Sequence, residues 1–288
     1  MSETTTGRVL IIAGSDSSGG AGIQADIKAC AAFGAYSMTA VTAVTAQNTQ
    51  GVHHVELMSP ELVRAQIEAC VDDIGVDVVK IGMLGSEAII RTVHELVEPL
   101  DATVVLDPVM VATSGDTLLE EGAVAALKEL LVPISDLVTP NVPEAEILTG
   151  LSVTDTDELS AAGEALLEQG AYAALMKGGH LDMKSVVDVL VSEDGASVMT
   201  GPRIHTRHTH GTGCTLASAT AAALALGANL DEAVASARDY VFEAIRTAPK
   251  LGTGNGPLNH GLATGRPGSE DADDPDPANP FAALKGLS

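Results

Sequence analysis

Late in the sequence, His210-Gly-Thr-Gly-Cys-Thr215 sets two glycines, two hydroxyls and a thiol directly ahead of a small-residue stretch. Gly211 and Gly213 let the backbone turn tightly, and a helix starting there would aim its leading N–H groups at an anion. In a phosphoryl-transfer enzyme the Gly211–Cys214 turn, Thr212 included, would stabilise charge on the moving group. A thiol at that helix head, Cys214, is expected to have a lowered pKa and an accessible thiolate. Taken alone, the glycines are equally an ordinary turn and the cysteine a small buried filler.

Other residues could join this chemistry. Asn141 and Glu144 form Asn-x-x-Glu just after a predicted strand, a spacing that also makes a helix capping box. Asp107 follows another strand, and Lys177 ends an apolar strand ahead of two glycines. Gly14 closes the first strand and would let a ligand approach the backbone. Met83 and Val109 are suited either to walls against a flat ring or to plain core packing. Asp26 lies about 60° around its helix from Ile23, so it edges the apolar stripe, where a carboxylate is costly unless paired. Gln47 offers a donor and an acceptor; Asp26 and Gln47 are equally capped or solvent-facing polar residues. Two tempting patterns carry less. The glycine-rich Gly14–Gly22 loop lacks the Gly-Lys-Ser/Thr of a P-loop, and no neighbouring acid completes a zinc site at His205, His208 and His210.

The elements that must position these residues alternate. Arg8–Ala13 is an apolar run that predicts a buried parallel strand. A helix with Ile23, Ile27 and Cys30 on one stripe follows, then one or two strands over Tyr36–Ala46. Ser59-Pro60-Glu61 predicts a helix start, with Leu62, Ile67 and Val71 as its apolar positions. Further strands are predicted at Val76–Ile81, Thr103–Leu106, Leu137–Val138 and Ala173–Met176. Helices are predicted at Ser86–Val97, Leu118–Leu131 and Asp157–Glu168. Val186–Val191 and Ala196–Thr200 read as a hairpin. One helix begins after Gly213, and another spans Asp231–Ile245 with Val234, Val241 and Ile245 on one side. The β-α order implies a mainly parallel sheet covered on both faces, with the site on the rim beyond the strand C-termini.

The composition is that of one large α/β domain: 288 residues, 45% hydrophobic and 19% charged. Aromatics are only 2%, so Ala, Val, Leu and Ile must build the core. A net charge of −24 repels nucleic acid and anionic lipid, which argues against both as partners. Cys30, Cys70 and Cys214 make no paired framework. No apolar run reaches membrane-span length and no signal precedes Arg8, so the cytoplasm is expected. Residues 265–288 are proline-rich and acidic and are expected to be a disordered tail behind a single domain over residues 1–264.

The His210–Thr215 motif resembles the C-terminal signature of ribokinase-like kinases, in most of which aspartate stands where this chain has Cys214. The cysteine form is similar to the hydroxymethylpyrimidine/phosphomethylpyrimidine kinase branch and to some pyridoxal kinases. Ala13–Asp26, Thr45–Thr49, Lys80–Leu84, Asp107–Met110, Thr139–Glu144 and Met176–His180 resemble that branch in the same order. The resemblance implies a three-layer α/β/α sandwich with a central, mainly parallel sheet. It implies ATP and Mg²⁺ as cofactors and phosphorylation of 4-amino-5-hydroxymethyl-2-methylpyrimidine, then of its monophosphate, for thiamine biosynthesis. It places Gly14, Asp26, Gln47, Met83 and Val109 at the substrate, with Gln47 matching the amino group and ring nitrogen of an aminopyrimidine. Asn141, Glu144 and Lys177 fall at the nucleotide, Asp107 and Glu144 at the metal, and Cys214 as candidate base. A homodimer is implied as well. A pyridoxal kinase is the nearest rival, from which Ala112, standing where some dual-specificity relatives have a second cysteine, tilts the reading slightly away. A non-catalytic pyrimidine sensor is the rival of another class.

Overall fold

The computed structural model describes residues 6–111, 115–116, 118–120 and 122–262. The expected tail (265–288) and Ala112 lie outside the described residues. Among the described residues, nine strands form one sheet in the order β3-β2-β1-β4-β5-β6-β7-β8-β9. Strands β1 (Arg8–Asp16), β2 (Tyr36–Asn48), β4 (Val78–Ile81), β5 (Thr103–Leu106), β6 (Leu137–Val138) and β7 (Ala174–Lys177) pair in parallel. Antiparallel strands flank them: β3 (Gly51–Leu57) on one side, β8 (Ser185–Ser192) and β9 (Gly195–Pro202) on the other.

Strand alternation explains the layers, since successive side chains face opposite sides of a sheet. Leu10, Ile12, Val79, Ile81, Val104 and Leu106 enter one core, beneath α2 (Pro60–Asp73), α3 (Glu87–Val97), α5 (Val142–Thr149) and α6 (Thr156–Glu168). Val9, Ile11, Val78 and Val105 enter the other, beneath α1 (Gly22–Phe33), α7 (Thr212–Ala225) and α8 (Leu230–Arg246). Helix α7 is buried on all sides over Thr215–Ala223. Its Ala, Ser and Thr side chains are short enough for α1, α8 and the sheet to close around it.

The structure departs from the sequence reading in several places; β1 runs past Gly14 to Asp16, and α7 begins at Thr212, ahead of Gly213. The buried face of α1 is Ala25, Asp26, Ala29, Cys30 and Phe33, whereas Ile27 is exposed. Small residues win that face because α7 packs closely against it. In α2 the buried positions are Val63 and Ile67, and Leu62 is exposed. The helix expected over Leu118–Leu131 starts only at Ala123, as α4 (Ala123–Ala126), and widens into a π turn at Leu127–Leu131. Ahead of it Leu118 and Glu120 donate their N–H groups to Met110 and Gly85, and Gly122 is left-handed (φ 95°), which bars a continuous helix. Strand β3 and helix α5 had no strong pattern. The first carries mixed polar residues, and the second begins with the ambiguous Asn-x-x-Glu.

Candidate active site

A cavity of about 890 Å³ opens on the rim where the parallel strands end. Gly14, Gln47, Met83 and Val109 line one part of it. Asp107, Asn141, Glu144, Lys177 and the Gly211–Cys214 turn line another. Asp26 is not on this wall. It is fully buried on α1, with both carboxylate oxygens 3.1 Å from Lys80 Nζ and one accepting from Ser218 Oγ at 2.7 Å. Lys80, buried in β4, faces the cavity instead. Burial opposes charge on this lysine, but Asp26, Cys214 and Asp107 outweigh it and hold its pKa above the ordinary value. A lysine inside the apolar Val78–Ile81 strand was the sequence signal for this pair.

The Gln47 side of the cavity is organised by the loop after β1. Ser17 Oγ donates to the Gln47 carbonyl and accepts from the Gln47 N–H, both at 2.9 Å. Thr45 Oγ1 donates to Gln47 Oε1 at 3.1 Å, which orients the amide. A Cβ added to Gly14 would come within 3.0 Å of Met83 Sδ, so the missing side chain leaves room beside that wall.

Across the cavity, Lys177 Nζ sits 3.0 Å from Asp107 Oδ1, which also accepts from Thr139 Oγ1 at 3.2 Å. Burial works against Lys177, yet the Asp107 and Glu144 carboxylates keep its pKa above the usual lysine range. Glu144 closes a capping box with Asn141 at the head of α5. Burial, eased by Lys177 and reinforced by Asp107, pushes its carboxyl up to about 7. A cation bound between the two carboxylates would relieve that repulsion. Among the described residues no three His, Cys, Asp or Glu side chains converge, so the site offers two acids. That donor set fits Mg²⁺, which takes one or two carboxylates and fills its shell with water and phosphate.

The turn itself is set by glycine. Gly211 is left-handed (φ 84°), and a Cβ there would lie 1.9 Å from the Gly20 carbonyl oxygen. A Cβ at Gly213 would enter the gap before Lys177 Nζ (3.3 Å) and Asp107 Oδ2 (3.5 Å). Gly211→Ala should therefore cost at least the ~1–3 kcal/mol of a non-glycine left-handed residue, measured by urea unfolding. An unchanged midpoint would show that the turn relaxes freely. The thiol contradicts the expectation of a lowered pKa. Desolvation, opposed by Lys80 and reinforced by Asp26 and Asp107, pushes Cys214 up to about 12. Burial beside carboxylates outweighs the helix head. Sequence reasoning also missed Asp16 and His210 as a pair, because 194 residues separate them.

Residues 16–259 match the family model of phosphomethylpyrimidine kinase. The chain belongs to the phosphomethylpyrimidine kinase family. It is 48% identical to the hydroxymethylpyrimidine/phosphomethylpyrimidine kinase of Streptomyces coelicolor over 89% of this chain and 95% of that one. It is 50% identical, over 89% of its length, to the thiamine biosynthesis bifunctional protein ThiED of Geobacter sulfurreducens, of which it spans only 53%. Pyridoxal kinase from Staphylococcus aureus, solved in complex with AMP-PCP and pyridoxal, superposes with a TM-score of 0.82 at 34% identity. That match covers 89% of this chain and 94% of the other. The fold of this family member is thus the ribokinase-like three-layer sandwich, as the motifs implied. Among the described residues no helix is long and apolar enough to cross a membrane.

Proposed function

We propose that the protein transfers the ATP γ-phosphoryl group to the hydroxymethyl oxygen of 4-amino-5-hydroxymethyl-2-methylpyrimidine, then phosphorylates the monophosphate to the diphosphate. The observation that carries this reading is the convergence, in one cavity, of an oriented amide at Gln47 and the head of α7 facing Lys177 and Asp107. Gln47 pairs with the aminopyrimidine edge between Met83 and Val109, and Gly14 lets the ring approach the backbone. Lys177 and the leading N–H groups of α7 hold the phosphates and the charge that develops on the transferred group. Val241, Phe242 and Ile245 of α8 give an apolar wall for the nucleotide base.

Asp107 and Glu144 would hold Mg²⁺, with Asn141 fixing Glu144 through the capping box; when bound, the cation neutralises phosphate charge. Catalysis is then positioning plus electrostatics, without a covalent intermediate. Cys214, neutral in the free protein, orients the attacking hydroxyl; in a loose transition state the new O–P bond forms as the bond to ADP breaks, and the hydroxyl proton passes late to an oxygen of the transferred phosphoryl group. Asp26, sealed under Lys80, is not in contact with substrate. The proposal extends to a homodimer acting in the cytoplasm.

Incubation with ATP, Mg²⁺ and either the pyrimidine alcohol or pyridoxal, followed by mass analysis, tests the reading. Pyrimidine mono- and diphosphate are expected. Pyridoxal phosphate as the main product would favour the second reading, which the likeness to pyridoxal kinase motivates. No ADP with either alcohol would leave a non-catalytic binder. Gln47→Ala should raise the pyrimidine KM by about 10-fold, the worth of a lost hydrogen-bonding group, with little change in that for ATP. Equal effects on both would remove Gln47 from pyrimidine recognition.

A further inference from the structure

Resting on that reading, we infer that Asp16 and His210 form a positioning clamp that locks the pyrimidine-reading loop onto the phosphoryl-binding turn. The pair joins the two halves of the site. His210 Nε2 lies 2.9 Å from Asp16 Oδ2, and both side chains are almost fully buried, 6% and 3% exposed. Both also line the cavity. Their neighbours on either side are residues already placed at the two ends of the reaction.

On the loop side, Asp16 organises its own backbone. Its carboxylate accepts from the N–H groups of Ser18 (2.8 Å), Gly20 (3.1 Å) and Ala21 (2.8 Å), and from Ser18 Oγ. Burial alone would raise its pKa, but the bonds from His210, Ser18 and Ala21 bring it down to about 2. The carboxylate is therefore charged at any working pH. Ser17, the next residue, is the one that grips both backbone groups of Gln47. The junction of β1 and its following loop thus carries the anchor of the turn at Asp16 and the anchor of the ring reader at Ser17.

On the turn side, His210 directly precedes Gly211. Its backbone N–H donates to the Gly256 carbonyl at 3.1 Å, and it pairs with Pro257. The histidine is held from behind by this late segment and from in front by Asp16. The two backbones meet without a gap: a Cβ on Gly20 would be 2.5 Å from His210 Cδ2, and one on Gly211 1.9 Å from the Gly20 oxygen. Glycine permits this approach, and the Asp16–His210 bond sets its register. A shift of the loop against the turn would move the hydroxyl relative to the phosphoryl group. Each ligand could still bind its own half.

That separation defines the test. With the full chain, wild-type turnover of the pyrimidine alcohol is measured first, then His210→Ala, His210→Gln and Asp16→Asn. Misplacement on the ångström scale costs on the order of 10²-fold. His210→Ala should therefore lower kcat by about that factor, with the pyrimidine KM and the Kd for AMP-PCP little changed. His210→Gln, whose amide replaces the ring N–H donor, should recover most of the loss. Asp16→Asn combined with His210→Ala should be no worse than the more damaged single variant. The inference fails if His210→Ala keeps its kcat, if both KM and Kd rise in step with the loss, or if glutamine rescues nothing. Should His210→Ala not fold, Asp16→Asn is judged on the same kcat-against-KM split, while His210→Gln must keep most of the wild-type kcat. An inactive wild type would instead overturn the functional reading, which keeps the two failures apart.

Discussion

Cys214→Ala will lower turnover of the pyrimidine alcohol by ~10²-fold, the scale of a misoriented reacting group, while leaving the pyrimidine KM nearly unchanged. The side chain stands in the first turn of α7 and lines the cavity with Gly213 and Lys177. Its chemistry in the free protein is that of a thiol. Burial pushes its pKa up to about 12, so the protonated thiol dominates at pH 7. Lys80 favours the anion, but desolvation and the Asp26 and Asp107 charges prevail. A thiol that orients a hydroxyl has a different signature from a thiolate base. Cys214→Ser should retain more activity than Cys214→Ala, because a hydroxyl keeps the hydrogen-bonding role.

Alkylation reads the same question without turnover. In a Cys70→Ser background, iodoacetamide should label Cys214 slowly at pH 7 and faster as pH rises towards 12, since only the thiolate reacts. Cys30 is fully buried, and burial also pushes its thiol up, so it adds no competing signal. Rapid labelling at pH 7 would mean that the site does create a thiolate, and unchanged kcat in the alanine variant would take Cys214 out of the reaction.

The largest effect on stability is expected at Lys80→Met. The ion pair with Asp26 has no exposed surface on either side chain. Removing one partner leaves a charge in the core between α1, α7 and β4, a change that costs ~3–5 kcal/mol. Asp26 would then protonate, since burial already raises its pKa and Lys80 is the main influence holding it down. Urea unfolding of Lys80→Met should show this loss. The double variant with Asp26→Leu should recover most of it, because an apolar pair of similar size replaces two desolvated charges. A loss under about 1 kcal/mol for the single change would show that water reaches the pair. Poor recovery in the double variant would point to Ser218, whose hydroxyl also depends on Asp26.

How much was legible can be seen residue by residue. Gly211 and Gly213 were readable as a turn because glycine pairs before a small-residue helix have few other uses, and the left-handed Gly211 is such a turn. Asp107, Asn141 and Lys177 could be placed on the rim from sequence because each ends or closely follows an apolar strand, and a parallel sheet gathers its strand ends on one rim. Ile27 and Leu62 misled because hydropathy marks what a helix could bury, not which neighbour is close enough to bury it. The α1 face turned out to be chosen by the small residues of α7, nearly 200 positions later in the chain.

Asp26 carries the same lesson at the site. Its place on the helix said only that it needed a partner and the family resemblance put it at the substrate, whereas its actual partner is a strand lysine 54 residues away. The thiol of Cys214 was judged from its helix head, a local feature, while its protonation depends on Lys80, Asp26 and Asp107. Order along the chain determined the strands, the layers, the rim and most of the residues on it, because period and turn chemistry act over a few positions. Only the tertiary structure decided which charges cancel, which thiol stays protonated, and that Asp16 meets His210. Electrostatic energies depend on distance and burial in space, and those are not written in sequence neighbourhood.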